Sequence, residues 1–378
     1  MRNLKKYKYC KICILPNTRP NLKLNSNGIC NACDNNNIKK IKEIKWKQRK
    51  KKFIQIIKKV KKRNCTYDCV IPVSGGKDST WQVLIALKYK LKPLCVSWKS
   101  PARNMLGQKN LNNLINLGVD HLDVSLNPII EKKFILKTFK KFGNPLIPMH
   151  LALHAIPVKI AIEKKIPLIL WGENSAYEYG GDKKFKGYEM TNKWRKNFGV
   201  NEGKNISYWF DDNLNKRNLD SYSIPSSELI KKFKINEIFL GYFFDWSPKK
   251  IFNISKKFGF KSAKEPKTGL YKFADIDDEF LITIHHLMKW YKFGFTREWD
   301  NLSIEIRKNN ISRKNVIKKL KNLGFKKPKK EIDLFCKYLS IKKSKFYEIV
   351  EKHRNKKIWF KNNSKWIIKN FLIDKWKW

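Results

Sequence analysis

No run of about 18 uncharged apolar residues occurs anywhere in the 378-residue chain, so no membrane-spanning helix is expected. Acidic side chains are scarce: 32 Asp and Glu stand against 83 Lys and Arg, a formal net charge of +51. Arginine is scarcer still, at 11 of those 83, which leaves 72 lysines. A site built for polyanions is enriched in the bidentate guanidinium and clusters it, whereas these lysines are spread over nearly every segment. They read as a solvated coat, and the one dense cluster runs from Lys39 to Lys62. The first ten residues lack the apolar stretch of a secretory leader, so the cytoplasm is the expected compartment, with neither membrane nor nucleic acid as partner. What is present is globular. At 42% hydrophobic and 13% aromatic the chain is too apolar for disorder, and its length suits two or three domains.

Four of the eight cysteines fall in residues 1–40. Cys10, Cys13, Cys30 and Cys33 form C-x2-C-x16-C-x2-C, the spacing of a tetrahedral thiolate zinc site. Four protein ligands leave no open position, so such a metal would be structural. Two disulfides are disfavoured in a reducing compartment, while an iron–sulfur cluster could use the same four thiolates and stays open. Cys65, Cys69, Cys95 and Cys336 make no further pair and read as small buried hydrophobes. Residues 41–64 place Ile41, Ile44, Phe53, Ile56, Ile57 and Val60 at mostly helical spacing among lysines, a basic linker helix.

From residue 65 to 276 short apolar runs alternate with helical periods. Strands are expected at 69–73, 94–98, 119–125 and 167–171, and helices at 80–91, 108–117, 129–142 and 151–164. This is the α/β pattern of a mostly parallel sheet with helices on both faces. Beyond residue 277 the strand signal fades, and 281–291, 314–323, 329–339 and 345–353 read as helices, with Ser312 as a cap. A helical C-terminal region, 277–378, is expected.

Ser74-Gly75-Gly76-Lys77-Asp78-Ser79 follows the first expected strand and opens a helix. Two glycines let the backbone approach an anion, helix-start N–H groups point at it, and Ser74, Lys77 and Ser79 add donors. The Walker A spacing is missing. Asp78 is odd in an anion site unless it faces a cation, so it is assigned to Mg2+. Gly172, Glu173 and Asn174, with Glu178, Gly180 and Gly181, end another strand of the sheet, on the edge where such sheets bind ligands. His285 and His286 point about 100° apart on a helix, so at most one faces a given site. Arg297 could clamp a phosphate or carboxylate.

The Ser74–Ser79 loop resembles the PP-loop of the ATP pyrophosphatase superfamily. More closely, the chain resembles the N-acetyl sugar amidotransferases of bacterial surface-glycan biosynthesis. The matching parts are Tyr9 and the first cysteine pair with Pro16, Thr18, Arg19 and Pro20, the second pair, the loop, Trp171 to Asn174 with Glu178-Tyr179-Gly180-Gly181, and a late segment with His285-His286 and Phe293-Gly294-Phe295. Together they span most of residues 1–300. Met149, before His150, stands where the family pattern has a cysteine, which weakens a thiol role there.

The resemblance implies an adenine nucleotide alpha hydrolase-like fold with an N-terminal zinc-ribbon-like unit. It implies ATP, Mg2+ and structural Zn2+. It implies a ligase that converts the acetamido group of an N-acetyl sugar, nucleotide-linked or a nonulosonic acid, into an acetamidino group. ATP adenylates the amide oxygen and ammonia displaces AMP, for lipopolysaccharide, O-antigen or flagellin glycan. Lys77, Asp78 and Ser79 would be catalytic. The loop with Gly172, Glu173 and Asn174 would hold the nucleotide, and Glu178, Tyr179, Gly180, Gly181, His285, His286 and Arg297 the substrate. No glutaminase is visible in the chain, so a separate glutamine amidotransferase subunit, with a cyclase-like barrel subunit, is the implied ammonia source. The rival readings are a PP-loop tRNA-thiolating enzyme and a non-enzymatic zinc-ribbon nucleic-acid binder.

Overall fold

The computed structural model describes residues 7–41, 45–178, 187–198 and 204–378. Strands β1 (Cys69–Pro72), β2 (Pro93–Trp98), β3 (Asp120–Val124), β4 (Leu168–Trp171) and β5 (Asn236–Phe239) pair in parallel, in the order β3-β2-β1-β4-β5. The order reverses between β1 and β4, and in such sheets ligands bind at the carboxyl ends of the strands at that point. Both candidate loops, 73–76 after β1 and 172–174 after β4, emerge there.

Alternate side chains of the strands enter two cores, as the period of two requires. Val70, Leu94, Val96 and Ile169 face one, and Cys69, Ile71, Cys95, Leu168 and Leu170 face the other. Helix α3 (Lys77–Lys88) covers the second face, with α4 (Met105–Ile115) and the helix Pro248–Lys257 against it. Ahead of it, α1 (Asn31–Ile41) closes the cysteine unit, and α2 (Trp46–Lys61) buries Phe53, Ile57 and Val60 while its lysines stay outside. The first face is covered by α5 (Pro128–Phe142) and α6 (Ile147–Glu163). Helix α6 starts four residues before the expected 151, because Pro148 is compatible with its first turn. Asn127 caps α5 by accepting from the Ile129 and Ile130 N–H groups, and Gly143 (φ 57°) ends it in the left-handed region.

The C-terminal region is helical, with helices Leu281–Phe293, Arg297–Arg307, Arg313–Leu323, Lys329–Leu339 and Lys343–Lys352. Ser312 caps the third by accepting from the Asn315 N–H. The helix Arg297–Arg307 and strand β5 had no counterpart in the sequence expectation. Neither did a hairpin of β6 (Trp359–Asn362) and β7 (Lys365–Ile368). Its two-residue turn, Asn363 and Ser364 at φ 43° and 65°, is the conformation that matches strand twist. Among the described residues no helix is long and apolar enough to cross a membrane.

Candidate active site

After β1 the chain folds into a tight loop and α3 begins at Lys77. The Ser74 N–H donates to Ser79 Oγ at 3.1 Å, and the Gly76 N–H to Ser74 Oγ at 3.3 Å. The Ser255 hydroxyl fixes the first turn from behind by donating to the Lys77 carbonyl at 2.7 Å. Gly75 sits at φ +83° against Leu111. The opening N–H groups of α3 have no intrahelical partner and carry partial positive charge. Lys77, 7% exposed, places Nζ 2.6 Å from Asp78 Oδ1 and over the ring of Phe273.

Ser74, Gly76, Lys77 and Asp78 line a cavity of about 350 Å³. Gly75 and Ser79 stand behind that wall. Trp98, Met149 and Leu153 form an apolar flank, and Glu173 also reaches the cavity. Gly172 does not line it. A Cβ there would come 2.8 Å from both Gln82 and Trp246, so the glycine lets β4 end close to α3. Asn174 braces the strand end. Its Oδ1 accepts from Trp194 Nε1 at 2.9 Å and from the Ala176 N–H at 3.0 Å, and its amide donates to the Gly187 carbonyl at 3.1 Å. Of Glu178 only the backbone, in a short helical turn, is described. Tyr179, Gly180 and Gly181 lie outside the described residues.

The opposite wall is one the sequence reading missed. Residues 271–278 cross the mouth of the sheet, with Tyr271, Phe273, Asp275, Asp277 and Asp278 lining the cavity. They are stitched to the segment after β2: the Asn104 N–H donates to the Asp277 carbonyl at 3.1 Å, and Asn104 Nδ2 to the Ile276 carbonyl at 2.8 Å. Arg103 grips Asp123 with both arms, at 2.6 and 2.8 Å, and also lines the cavity. Burial opposes ionisation of Asp275. The His286 hydrogen bond, the Arg297 charge and the Thr268 hydroxyl outweigh it and hold the carboxyl well below the usual range. Burial raises the Asp277 carboxyl although Ser74 bonds to it. It pushes Asp278 up to about 7, helped by its acidic neighbours, while the Ile282 N–H opposes. A signal existed: residues 275, 277, 278 and 279 put four carboxyls into five positions of a chain that has only 32.

His285 and His286 are not among the lining residues. His285 Nδ1 is 3.0 Å from Asn144 Oδ1, and His286 Nε2 is 3.4 Å from Asp275 Oδ2. Burial drives both imidazoles towards the neutral form, His286 down to about 4. Burial thus disfavours the charged form of both, and His286 meets the cavity wall through Asp275. Arg297 does line it, with Nε 3.8 Å from Asp275 Oδ2.

The four cysteine sulfurs of the N-terminal unit all lie within 4.8 Å of one another, with Cys10 to Cys33 at 3.9 Å and Cys13 to Cys30 at 3.7 Å. A single tetrahedral ion with metal–sulfur bonds of about 2.3 Å separates its sulfurs by about 3.8 Å. A disulfide would need about 2 Å, and a multi-iron cluster spreads the thiolates apart with its own irons and sulfides. The Cys30 N–H donates to Cys10 Sγ at 3.3 Å and the Cys33 N–H to Cys30 Sγ at 3.4 Å, which suits thiolates. The donor set fits one structural Zn2+.

Residues 260–372 match the family model described as LPS biosynthesis protein WbpG-like, C-terminal domain. The C-terminal region is similar to that WbpG-like domain. That match covers 113 of 378 residues and supports the resemblance read from the sequence. No curated protein matches the chain. Among solved structures, a predicted subunit of tRNA methyltransferase from Methanocaldococcus jannaschii is similar at 16% identity, over 61% of this chain and 90% of its own, with a TM-score of 0.30. An NMN synthetase from Francisella tularensis is similar at 14% identity, over 60% of this chain and 100% of its own, with a TM-score of 0.28. At these scores neither bears on the function. The cavity thus has one wall from the α/β sheet and one from the WbpG-like domain, which supplies Asp275, Asp277, Asp278, Arg297 and Asn301.

Proposed function

We propose that the chain is an ATP-dependent amidotransferase of bacterial surface-glycan biosynthesis, acting on the acetamido group of an N-acetyl sugar. The observation that carries the reading is the two-walled cavity. A glycine-rich helix start at the sheet's switch point faces a carboxylate-rich wall from a domain of the WbpG-like lipopolysaccharide class.

The chemistry follows from what each wall offers. An amide oxygen is a poor leaving group. Its attack on the α-phosphorus of ATP makes an O-adenylated imidate and expels pyrophosphate, after which ammonia adds to the imidate carbon and AMP departs. The α3 N–H groups and the Lys77 ammonium stabilise charge as it develops on the leaving pyrophosphate. Asp78 and Asp277 are the oxygen donors that would hold Mg2+, whose charge offsets that of the phosphates. Asp278, a buried carboxyl of the same wall with one oxygen held by the Ile282 N–H, is the group assigned to take a proton from the incoming nitrogen. Ammonia would come from a separate glutaminase, with a cyclase-like barrel subunit.

The test is the purified chain with ATP, Mg2+, an N-acetyl sugar and a high concentration of ammonium salt. AMP and pyrophosphate are expected, and the sugar should lose about one mass unit as NH replaces oxygen at the adenylated carbon. Asp78→Ala and Lys77→Ala should each lower the rate by about 10². ADP as the product, or turnover with glutamine by this chain alone, would overturn the reading. Salt-sensitive tRNA binding without AMP formation would favour the nucleic-acid rivals.

A further inference from the structure

The thiolate unit contributes no side chain to the cavity wall described above, yet it grips the helix that does. Thr18 donates its hydroxyl to the Phe293 carbonyl at 2.6 Å, and the Tyr7 hydroxyl donates to the Gly294 carbonyl at 3.3 Å. Both carbonyls belong to the turn that leads into the helix Arg297–Arg307. One turn into that helix, Arg19 Nε lies 2.9 Å from Asp300 Oδ1, and the Asp300 side chain is 2% exposed. At the far end Asn36 Nδ2 donates to the Arg307 carbonyl at 2.8 Å, and Arg313 Nε reaches back to the Cys13 carbonyl at 3.1 Å. Tyr9 stacks on Trp299 with centroids 5.7 Å apart.

The helix therefore has two faces with different duties. Arg297, Asn301 and Ile304 recur at i, i+4 and i+7 and line the cavity. Trp299 and Asp300 meet the thiolate unit. A helix turn is stiff, so a shift at Asp300 is passed to Arg297 three residues away. Asp300 Oδ2 also holds Lys289 at 3.1 Å, so loss of Arg19 leaves the carboxylate paired.

We infer that Arg19 is a positioning residue for the cavity: through Asp300 it sets where the helix Arg297–Arg307 presents Arg297 and Asn301. The kinetic part of this inference rests on the proposed adenylation in that cavity, while the structural part stands on the contacts alone.

The test uses the full chain and three variants, Arg19→Ala, Arg19→Lys and the milder Thr18→Val, read by amide hydrogen exchange and by ammonia-dependent AMP formation. Arg19→Ala should speed exchange of the amides of residues 294–304 by about tenfold and leave those of residues 69–88 unchanged. It should lower kcat by about 10- to 10²-fold, because a displacement of about 1 Å of a group that orients a substrate has that effect. KM for ATP should stay within about twofold, because the loop wall is untouched. Arg19→Lys, which keeps the charge without the fork, should recover part of both effects, and Thr18→Val should reproduce them weakly. Unchanged exchange in residues 294–304 in both Arg19→Ala and Thr18→Val would overturn the inference, and so would an equal rise in residues 69–88. If the wild-type chain makes no AMP, the proposed function falls and the exchange pattern alone decides the role of Arg19.

Discussion

Gly75 and Leu111 meet backbone to backbone: a Cβ on Gly75 would come 2.5 Å from the Leu111 amide nitrogen, at φ +83°. The loop that opens α3 is thus pressed against α4, and only a residue without a side chain fits. Gly75→Ala should destabilise the protein by about 1–3 kcal/mol through strain and displaced backbone. It should also abolish the gain in melting temperature that the proposed function predicts ATP will give the wild type. Thermal unfolding with and without nucleotide checks both, and retained stabilisation by ATP would remove the loop from the site.

The thiolate unit should hold about one zinc per chain. Structural zinc in small units contributes on the order of 10 kcal/mol to folding, and here the unit also anchors the WbpG-like domain. Cys13→Ser should give poorly soluble protein, and chelation should lower the melting temperature. Elemental analysis is the check. A metal-free preparation with an unchanged melting curve would refute it.

Glu131 gives a pH signature. It is 4% exposed, and burial pushes its carboxyl from 4.5 up to about 7, although Trp98 Nε1 donates to it at 2.9 Å. Between about pH 4.5 and 7 the unfolded chain releases this proton while the folded chain keeps it, so stability falls as pH rises through that window. Glu131→Gln keeps an acceptor for Trp98 and removes the titration. The loss of stability between pH 5 and pH 8 should shrink by on the order of 1–3 kcal/mol. Asp275 has the opposite sign: its depressed carboxyl contributes stability that is lost as pH falls below the usual carboxylate range. Denaturant melts across pH for wild type and variant decide whether Glu131 carries the slope.

The basic helix α2 separates coat from structure. Lys50, Lys51, Lys58 and Lys59 are exposed, and replacing all four by Gln should change stability by only about 0.5 kcal/mol. Arg49 differs. It donates to the Tyr242 carbonyl at 2.9 Å, and its guanidinium lies 4.0 Å from the Tyr242 ring centroid. Arg49→Ala should cost about 1–2 kcal/mol. Loss of turnover in the four-lysine variant, in step with salt-dependent RNA binding, would mean that the coat is an interface.

The parts of this protein that could be read from its sequence are those written in short windows. The parallel sheet was legible because Cys69 to Val73 and Leu94 to Trp98 are apolar runs separated by one helical period. The loop at 74–79 was legible because two glycines between an apolar run and a helical period mark a strand–turn–helix. Strand β5 was hidden because its four residues include Glu237, which is buried only because Arg195 and Trp171 bond to its carboxylate. The helix Arg297–Arg307 was hidden because its buried positions include Asp300, Asn301 and Arg307, which read as solvent-facing until their partners are known.

What the sequence determined by itself is therefore the local chemistry: four thiols at metal spacing, a glycine-rich helix start, a lysine coat and the α/β order. Only the tertiary structure decided that Asp275, Asp277, Asp278 and Arg297 close the second wall of one cavity, that His285 and His286 stand behind it, and that Arg19 reaches Asp300. These pairings join residues up to 281 positions apart. Such contacts leave no periodicity in any short window, because they form only when the sheet and the WbpG-like domain have packed and the burial of each carboxyl has selected its partner.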